Sequence, residues 1–488
     1  MASGPIGVVD IGSNSVRLVI YDRLSRSPVA LFNEKVLCAI GRNIVKTGNL
    51  DEAGSDAAIA ALARYRAIAK AVGVARIETV ATAAVRDAKN GSEFVARARD
   101  AIGTQVRVLT GEEEARFAAE GALAAIPDAD GVVGDLGGGS LELAYVSAGA
   151  YMHGVTLPFG PLRLMDLSDG RIDRARAIVD DELAKVSGLE KLRGKTLYAV
   201  GGVWRNIARM HMDNIQHPIR VLHHYEIPRE RAIDFTNLIS AQSRKSLESI
   251  TGVTRKRAET IPFGAVVMER LLKVAKLDRV VISAFGVREG LLFAKLDAGE
   301  RAKDPLLASC EDMAARLGRD PALGRILERW TAPLFPATDK TFDRLRRAAC
   351  NLADTGWRGH PDHRAELAFS EVLYAPFIGV DHRGRALLSL TMFHRYGGED
   401  EKLVKRVHRF AGEEAAQSAK TLGVALRAAL VLAGPAPSVL GDTSIKLTLN
   451  SLVVSLPKTH QALIADAITK RLDTLAGALG RTVKYDLR

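Results

Sequence analysis

Two short segments of the sequence, 125 residues apart, carry matching residue types in the same order. The first is Val8-Val9-Asp10-Ile11-Gly12-Ser13-Asn14-Ser15 and the second is Val133-Gly134-Asp135-Leu136-Gly137-Gly138-Gly139-Ser140. Glycine lets a turn bring its backbone close to a ligand, and successive N–H groups can then form a concave site for an anion. Serine hydroxyls add further donors. The duplication predicts two phosphate-binding loops, Gly12–Ser15 and Gly137–Ser140, that face one cleft.

The two aspartates of these segments point to a metal ion. Asp10 and Asp135 alone would repel a phosphate, but Mg²⁺ with part of its water shell converts carboxylates into partners of phosphate. The alternative is two ordinary β-hairpins, because Asp-x-Gly is common in turns. The matched Asp, Gly and Ser positions of the two segments favour the binding role.

A run of three glutamates supplies a candidate for the group that activates water. Thr110 and Glu113 have the spacing of a helix capping box, and Glu112 and Arg116 have the spacing of a helical ion pair. Acids in a first helical turn also complement the helix dipole, which is the structural alternative for all three. Glu114 has neither local partner, so it is the best candidate for orienting or deprotonating a water molecule.

The elements expected to position these residues alternate between strands and helices up to about residue 300. Hairpins are predicted over Ile6–Tyr21 and Val132–Val146, and a helix over Glu112–Ile126. Further segments are predicted as one helix and four buried strands: Asp56–Val72, Arg76–Ala81, Val106–Leu109, Thr196–Val200 and Val280–Ala284. This alternation is typical of an α/β fold.

These motifs together resemble the exopolyphosphatase / guanosine pentaphosphate phosphohydrolase family, over about residues 5–300. The resemblance rests on the two loop segments and on four further motifs: Ala81-Thr82-Ala83-Ala84-Val85-Arg86, Gly111-Glu112-Glu113-Glu114-Ala115-Arg116, Gly201-Gly202 and Gly286-Val287-Arg288-Glu289-Gly290. The second loop segment continues the match through Leu141-Glu142-Leu143. The resemblance implies two duplicated actin-like (ribonuclease H-like) domains with a catalytic cleft between them.

The resemblance also implies roles for individual residues. The family's catalytic glutamate falls on Glu114, and its phosphate loops fall on Gly12–Ser15 and Gly137–Ser140. Its metal-associated acids fall on Asp135 and Glu142, with Asp10 as a further candidate. Arg86 would hold phosphate oxygens bidentately, the alternative being a surface arginine.

Arg288 can act in the site or form a structural ion pair with Glu289. The implied cofactor is Mg²⁺, with other divalent ions and a monovalent cation as additional expectations.

Composition limits the partners. Lys and Arg exceed Asp and Glu by 68 to 57, which gives a net charge of +11 and favours a polyanionic partner. The three cysteines are too few and too widely spaced for a disulfide framework or a CxxC metal site. The N-terminus has no signal-peptide pattern, and no apolar run reaches membrane-spanning length. A cytoplasmic protein without a membrane or specific nucleic-acid partner is expected.

Domain boundaries are predicted near residues 126, 300 and 440. Residues 1–126 and 127–300 would be the two actin-like domains, 301–440 a helical HD-like domain, and 441–488 a small α/β domain. The HD-like domain and the small terminal domain are implied by resemblance to long family members. Where the metal-binding His-Asp pair would stand, the sequence reads Leu352-Ala353-Asp354, so a degenerate metal site is expected. A homodimer is also expected.

The sequence favours processive removal of terminal phosphate from linear inorganic polyphosphate, with release of orthophosphate. A long basic groove into the C-terminal domains, including the helical run Lys402–Arg409, would hold the chain; a solvated helix and a dimer contact are the alternatives for that run. Three other functions stay open. They are hydrolysis of guanosine pentaphosphate at the same site, phosphotransfer between ATP or polyphosphate and an acceptor, and non-catalytic polyanion binding.

Overall fold

The structure, a computed structural model, describes residues 4–42, 44–250, 255–335, 339–399, 401–434 and 436–488. The chain divides into two compact units. Unit 1 comprises the residues up to His217 together with Val221–Ala302, and unit 2 comprises Pro218–Arg220 and Lys303–Arg488. The finer division into four domains, with boundaries near 126, 300 and 440, stays a prediction. None of the described helices is both long and apolar enough to span a bilayer.

Unit 1 is an α/β structure, as predicted. Its strands are β1 (Ile6–Ile11), β2 (Val16–Tyr21), β3 (Ala30–Val36), β4 (Arg76–Ala81), β5 (Val106–Val108), β6 (Gly131–Leu136), β7 (Leu141–Ser147), β8 (Ala150–Leu157), β9 (Thr196–Val200), β10 (Tyr225–Pro228) and β11 (Arg279–Ile282). Its helices are α1 (Ile44–Thr47), α2 (Glu52–Val72), α3 (Ala83–Asp87), α4 (Gly91–Ile102), α5 (Gly111–Ala125), α6 (Pro161–Leu167), α7 (Ile172–Ala184), α8 (Gly202–Asn214), α9 (Arg229–Ser240), α10 (Arg244–Glu248), α11 (Arg255–Val274), α12 (Val287–Phe293) and α13 (Ala298–Ala302), with a 3-10 turn at Leu189–Leu192.

The two sheets of unit 1 have the same connectivity. The first has the strand order β3-β2-β1-β4-β5, and the second has β8-β7-β6-β9-β11 with β10 added at one edge. In each sheet, the first three strands in this order pair antiparallel with each other. The last two, β4 and β5 or β9 and β11, run parallel to the third, which is β1 or β6. The duplication seen in the sequence is therefore a duplication of the fold.

The strand register gives each sheet a row of equivalent residues across the hairpin. In the first sheet Asp10 lies opposite Arg17, and Arg17 lies opposite Lys35. In the second sheet Asp135 lies opposite Glu142, and Glu142 lies opposite Thr156. Directly opposed strand residues are close enough to interact, so these rows place charged groups side by side on one face.

Two buried clusters of apolar side chains support the sheets, one against each. In the second, the Trp204 ring packs directly on Gly134, where a Cβ would lie 3.0 Å from a ring carbon. The indole N–H of Trp204 donates to the Gly264 carbonyl oxygen at 2.9 Å. This close packing fixes β6, the strand that leads into the Gly137–Ser140 loop, against α8.

Helices α5 and α12 cross at glycines. A Cβ at Gly121 would lie 2.1 Å from the Gly286 carbonyl oxygen, and one at Gly290 would lie 1.8 Å from the Phe117 carbonyl oxygen. No larger residue fits at either position without moving a helix. The crossing holds the helix that carries Glu114 in a fixed relation to the helix that carries Arg288.

Helix ends differ from the sequence prediction where a cap was overlooked. Helix α2 begins at Glu52, four residues before the predicted Asp56, because the Asp51 carboxylate accepts from the Gly54 N–H at 2.8 Å. Gly73, at φ 74°, ends the helix in the left-handed conformation that glycine tolerates.

Unit 2 is mainly helical and ends in a small sheet. Its helices are α14 (Pro305–Leu317), α15 (Leu323–Thr331), α16 (Lys340–Leu352), α17 (Arg364–Tyr374), α18 (His382–Arg395), α19 (Glu401–Ala411), α20 (Glu413–Ala433), α21 (Ser438–Gly441) and α22 (Asp466–Ala478). Its strands are β12 (Ser444–Leu447), β13 (Ser451–Leu456) and β14 (Thr482–Leu487), and its 3-10 turns are Ala332–Leu334, Thr355–Arg358, Pro361–His363 and Lys458–Leu463.

At the position considered for a His-Asp metal pair, Asp354 is buried and ion-paired. Arg319 donates to its two carboxylate oxygens at 2.9 and 2.6 Å. The described residues of the whole chain contain no group of three or more His, Cys, Asp or Glu side chains arranged to hold a metal ion by themselves. The HD-like character of this unit stays a prediction.

Candidate active site

A cleft in unit 1 collects most of the residues singled out from the sequence. Its cavity volume is about 190 Å³. The predicted residues that line it are Asp10, Gly12, Ser13, Asn14, Ser15, Glu114, Asp135, Gly137, Gly138 and Ser140. Arg86, Gly139 and Glu142 do not line it; Gly139 borders a neighbouring pocket that shares Ser13 and Gly138 with the cleft.

The two glycine loops have the same closing hydrogen bond. The Gly12 N–H donates to the Ser15 carbonyl oxygen at 3.0 Å, and the Gly137 N–H donates to the Ser140 carbonyl oxygen at 3.0 Å. The loops also approach each other closely, since a Cβ at Gly138 would lie 3.2 Å from the Ser13 Cβ. The predicted pair of facing turns is therefore present in the fold.

Helix α5 presents Glu114 to the cleft from its first turn. The predicted capping box is present: the Thr110 N–H donates to Glu113 Oε2 at 3.0 Å, and the Glu113 N–H donates to Thr110 Oγ1 at 3.2 Å. Glu113 also pairs with Arg107. The cap fixes the start of the helix and so the position of Glu114, which is only 6% exposed.

The predicted Glu112–Arg116 ion pair is wrong. The Arg116 guanidinium lies 4.0 Å from Glu120, one turn further along the helix, and also stacks on the Phe117 ring. Sequence spacing allows both pairs, and the rotamer of Arg116 decides between them.

Within the described part of the chain, the carboxylate of Glu114 pairs with one cationic side chain, that of Arg86. Arg86 Nη1 lies 3.2 Å from Glu114 Oε2, and the same guanidinium donates to Asp87 and to the Leu109 carbonyl oxygen. Burial and then the charge of Asp135 raise the pKa of Glu114 to about 8, against the lowering effect of Arg86. In its deprotonated form, a carboxylate of this basicity is a better proton acceptor than an ordinary glutamate. Arg86 therefore contacts Glu114, the candidate catalytic glutamate.

The acidic groups near Glu114 are only partly compensated by cations. Burial and the nearby Asp10 raise the pKa of Asp135 to about 6. Burial, Glu114 and Asp135 raise the pKa of Glu142 well above 4.5, and the neighbouring Ser140 hydroxyl and Arg86 offset this only in part. Neither oxygen of Glu142 has a hydrogen-bond partner among the described residues. Buried carboxylates without partners are costly unless a proton or a cation joins them.

This donor set fits a divalent cation such as Mg²⁺. Mg²⁺ prefers oxygen ligands and is often bound by one or two carboxylates together with water and substrate phosphate. Asp135 and Glu142 supply the carboxylates, and the orphaned oxygens of Glu142 are the structural feature that agrees with a cation there.

Asp10, the third predicted metal-associated acid, is already paired. Arg288 Nη1 donates to its Oδ2 at 2.8 Å. The Glu289 carboxylate, the partner considered for Arg288 from the sequence, accepts from Tyr21 Oη at 2.6 Å and from the Gly286 N–H at 2.9 Å. The ion pair of Arg288 with Glu289 considered from the sequence is also present, with Glu289 Oε1 3.8 Å from Arg288 Nε, which is too long for a hydrogen bond.

The cleft also has basic side chains, and sequence reasoning missed most of them. Five cationic side chains among the described residues line the cleft: Arg17, Lys35, Arg205, Arg257 and Arg288. Burial and the neighbouring guanidinium groups of Arg257, Arg17 and Arg205 lower the pKa of Lys35 to about 8. Burial, then Arg288 and Arg17, lower the pKa of Arg205 to about 10. Cations that repel one another in a cleft stabilise a bound anion.

A sequence signal for some of these residues existed. Lys35 carried no such signal, because residues 31–36 do not alternate in polarity; it reaches the cleft because β3 pairs with β2 so that Lys35 lies opposite Arg17. Arg205 lies three residues after Gly202, in the first turn of α8. Arg257 carried no comparable signal, because α11 brings it to the cleft only through tertiary packing; its Nη1 donates to Asn206 Oδ1 at 3.0 Å.

Two family models together cover most of the chain. Residues 19–298 match the model described as the Ppx/GppA phosphatase family. Residues 306–485 match the model described as the C-terminal part of exopolyphosphatases. The first match covers more than half of the chain and contains Glu114, Arg86 and the second glycine loop.

Curated relatives include proteins with two different names. Exopolyphosphatase 1 of Mycobacterium tuberculosis is 30% identical over 311 residues, which cover 60% of this chain and 88% of the relative. Retrograde regulation protein 2 of Saccharomyces cerevisiae is 26% identical over 446 residues, which cover 80% of this chain and 72% of the relative.

Solved structures resemble the N-terminal part of the chain. An exopolyphosphatase from Cytophaga hutchinsonii has a TM-score of 0.55 and 25% identity, and covers 59% of this chain and 97% of its own. A Ppx/GppA family member from Aquifex aeolicus has a TM-score of 0.52 and 24% identity, and covers 60% and 97%. The duplicated sheets, the paired glycine loops, the family model and these likenesses agree, and the chain belongs to the Ppx/GppA phosphatase family.

Proposed function

We propose that this protein is a Mg²⁺-dependent exopolyphosphatase that removes orthophosphate from the end of linear inorganic polyphosphate. One observation carries the proposal: a single cleft joins a buried glutamate of raised pKa, Glu114, to two glycine loops and to five cationic side chains. Such a cleft provides a proton acceptor at one side and neutralises a polyanion at the other. Phosphoryl transfer depends mainly on positioning and charge stabilisation of this kind.

In the proposed reaction, Glu114 accepts a proton from a water molecule. The water oxygen bonds to the terminal phosphorus while the bond from that phosphorus to the bridging oxygen breaks. Orthophosphate leaves, and the chain shortened by one phosphate keeps the bridging oxygen. Arg86 orients the Glu114 carboxylate through the contact at 3.2 Å, and the amides of the glycine loops hold phosphate oxygens.

Mg²⁺, when bound, would neutralise phosphate charge and polarise the reacting phosphoryl group. Asp135 and Glu142 would hold it, because they supply buried carboxylate oxygens that lack compensation. Arg17, Lys35, Arg205 and Arg257 would hold the phosphates of the chain that are not being cleaved.

The lining of the cleft favours a substrate recognised by its phosphates. Among the described residues, no aromatic side chain lines it. Near Gly202, where related folds bind nucleosides, the lining is Val203, Asn206, Arg257 and Thr260, which is more polar than an apolar slot for a base. This favours polyphosphate over ATP. Guanosine pentaphosphate, whose terminal phosphorus undergoes the same chemistry, stays the alternative substrate for the same site.

The test is orthophosphate release from long polyphosphate, tripolyphosphate, guanosine pentaphosphate and ATP, each with Mg²⁺ and with EDTA. The proposal requires a higher kcat/KM for long polyphosphate than for the two nucleotides, and loss of release in EDTA. A higher kcat/KM for guanosine pentaphosphate would assign the nucleotide as the substrate. Binding of polyphosphate without any release would support a polyanion-binding protein.

We further propose that unit 2 extends the binding surface for long chains and contributes to a homodimer. A variant that ends at Ala302 tests this, with a cooperative melt as the folding control. If it folds, it should retain kcat on tripolyphosphate and show a raised KM for long polyphosphate. Long-chain binding to the whole protein should also weaken more steeply with salt than short-chain binding, since a longer footprint releases more counterions. Equal salt slopes would limit the binding surface to unit 1.

A further inference from the structure

Asp10 and Arg288 form an ion pair that lines the cleft. Each of the two side chains could take another partner there, a cation for Asp10 and an anion for Arg288. Arg288 lines the cleft with a side chain that is 13% exposed, and Asp10 lines it with a side chain that is 22% exposed. The Nε of Arg288 is buried and has no hydrogen-bond partner among the described residues. Nε faces Glu289 Oε1 at 3.8 Å, so an anion in the cleft would contact the Nη groups of Arg288, one of which now binds Asp10.

Of the two acids beside Arg288, only Asp10 can be released. The Glu289 carboxylate is engaged at both oxygens, by the Tyr21 hydroxyl and by the Gly286 N–H, and is buried. It also lies on α12, which the glycine crossing holds against α5. Asp10 Oδ2, by contrast, is held by Arg288 at the edge of the cleft.

We infer that the Asp10–Arg288 ion pair is exchanged when the site is loaded: a phosphate oxygen takes the Arg288 guanidinium, and the divalent cation takes the Asp10 carboxylate. This inference rests on the proposed function, because it needs a phosphate ligand and a cation in the same cleft. Arg288 is then a phosphate-binding residue that Asp10 keeps compensated while the site is empty.

The exchange makes the two ligands depend on each other. If phosphate alone takes Arg288, Asp10 is left without its guanidinium partner. If the metal alone takes Asp10, Arg288 loses its hydrogen-bonded anion and keeps only Glu289, at 3.8 Å. Leaving one partner of a buried pair uncompensated costs free energy. When both ligands bind, every charge has a partner. Each ligand should therefore raise the affinity of the other by the same factor, as linkage requires.

Calorimetric titration measures this coupling without turnover, with Mg²⁺ and orthophosphate as probes. Each is titrated into the full-length protein alone and at saturating concentration of the other, with the free Mg²⁺–phosphate complex subtracted. For the wild type we expect a mutual enhancement of at least about tenfold, the lower part of the usual range of coupling. An enhancement within error of one would overturn the inference.

Two single variants and the double variant test whether the coupling between Mg²⁺ and phosphate depends on the Asp10–Arg288 pair. Arg288→Met should bind Mg²⁺ more tightly alone, because Asp10 is then unpaired, and phosphate should enhance Mg²⁺ binding less than in the wild type. Asp10→Asn should bind phosphate more tightly alone, and Mg²⁺ should enhance phosphate binding less than in the wild type. The double variant should keep only the coupling that comes from direct attraction between Mg²⁺ and phosphate. Wild-type coupling in Arg288→Met would overturn the inference.

Two controls distinguish a role of Arg288 in coupling from a purely structural role. Arg288→Lys keeps the charge and should retain part of the coupling, whereas equal loss in Arg288→Lys and Arg288→Met, together with a lowered melting temperature, would show that Arg288 only packs the site. Arg64→Met breaks an ion pair with Glu34, at 2.8 Å, outside the cleft, and should leave both affinities unchanged.

The proposed function fails separately from this inference. Release of orthophosphate from polyphosphate without coupling between the probes would overturn the exchange and leave the exopolyphosphatase proposal standing. Absence of both release and phosphate binding would overturn the proposed function.

Discussion

The two hairpins that carry the glycine loops have the same backbone and opposite charge. Asp10 and Asp135 occupy equivalent positions, but the residue opposite Asp10 is Arg17 and the residue opposite Asp135 is Glu142. One strand further along, the first row continues with Lys35 and the second with Thr156. The first row is therefore predominantly basic and the second is acidic.

This difference shows how a duplicated fold can serve two ligands of opposite charge. In the first hairpin the aspartate is neutralised by Arg288, and the remaining cations are available to an anion. In the second hairpin, Asp135 and Glu142 have raised pKa values because burial and neighbouring acids leave them uncompensated. Glycine loops with the same closing hydrogen bond would provide backbone donors in both halves. In the proposed function, the side chains opposite the aspartates would direct the phosphate chain to the first half, and the cation and the water mainly to the second.

The largest effect is expected at Glu114, which faces the acidic row. Glu114→Gln should lower kcat by a factor of about 10²–10⁴, the usual contribution of a general base, because the amide cannot accept the proton of water. Polyphosphate affinity should change little, since a carboxylate adds nothing to anion binding. Orthophosphate release under saturating substrate and a direct binding titration measure the two quantities.

Glu113→Gln is the matched control. It removes a charge one residue away and the ion pair with Arg107, while Gln can still close the capping box, so it should lower the melting temperature slightly and leave kcat nearly unchanged. An inactive Glu113→Gln together with an active Glu114→Gln would reverse the assignment.

The next effect concerns the basic row. Arg17→Gln and Lys35→Gln should each raise KM for long polyphosphate about tenfold, in line with about 1.5 kcal/mol for one hydrogen bond to a charged group. The Mg²⁺ concentration needed for half-maximal activity should stay the same. Steady-state kinetics over a Mg²⁺ series separates the two parameters. A change in the Mg²⁺ requirement with an unchanged KM would contradict the proposal that the first hairpin binds the phosphate chain and the second binds the cation.

The third prediction concerns the acidic row and pH. The pKa of Glu142 is raised well above 4.5. At pH values above 4.5, the folded protein therefore keeps a proton on this side chain that the unfolded chain has lost. The free energy of unfolding therefore falls as pH rises through this range. In EDTA, Glu142→Gln should have a higher melting temperature than the wild type at pH 8, by about 2 °C or more for each 1 kcal/mol, and a smaller gain at pH 5.

Mg²⁺ is the control for this experiment. It should stabilise the wild type more than Glu142→Gln, because the variant has lost one negative charge from the cation's surroundings, and the same variant should need more Mg²⁺ for activity. A variant less stable than the wild type at both pH values would mean that Glu142 is already compensated.

The smallest effect is expected at Asp87, which touches neither row. It lies 3.2 Å from Arg86 Nε and 3.5 Å from Arg163 Nη1, so it holds the guanidinium that contacts Glu114. Asp87→Asn should lower kcat by a factor of about two to five with KM unchanged, the size expected for a partly exposed ion pair. Loss of activity as large as that of Glu114→Gln would place Asp87 in the chemistry itself.

The sequence predicted the parts of the site that depend on local backbone. Glycine turns and the Thr110–Glu113 cap are set by residues within a few positions of each other, and the structure has them as expected. The ion-pair partners were not predictable in this way. Arg116 contacts Glu120 instead of Glu112, and Arg288 contacts Asp10 across 278 positions of the chain.

The sequence by itself determined the repeated strand-turn-strand segments, the α/β pattern and the Thr110–Glu113 cap that engages Glu113 in its run of glutamates. These features follow from hydrophobic periodicity, glycine and capping, which act over short distances along the chain. Only the tertiary structure decided that Lys35, Arg205 and Arg257 line the same cleft as Glu114, and that Asp10 is paired while Glu142 is not. The reason is physical: the free energy of a charge depends on its burial and on the charges around it, and both are set by strands and helices that are far apart in sequence.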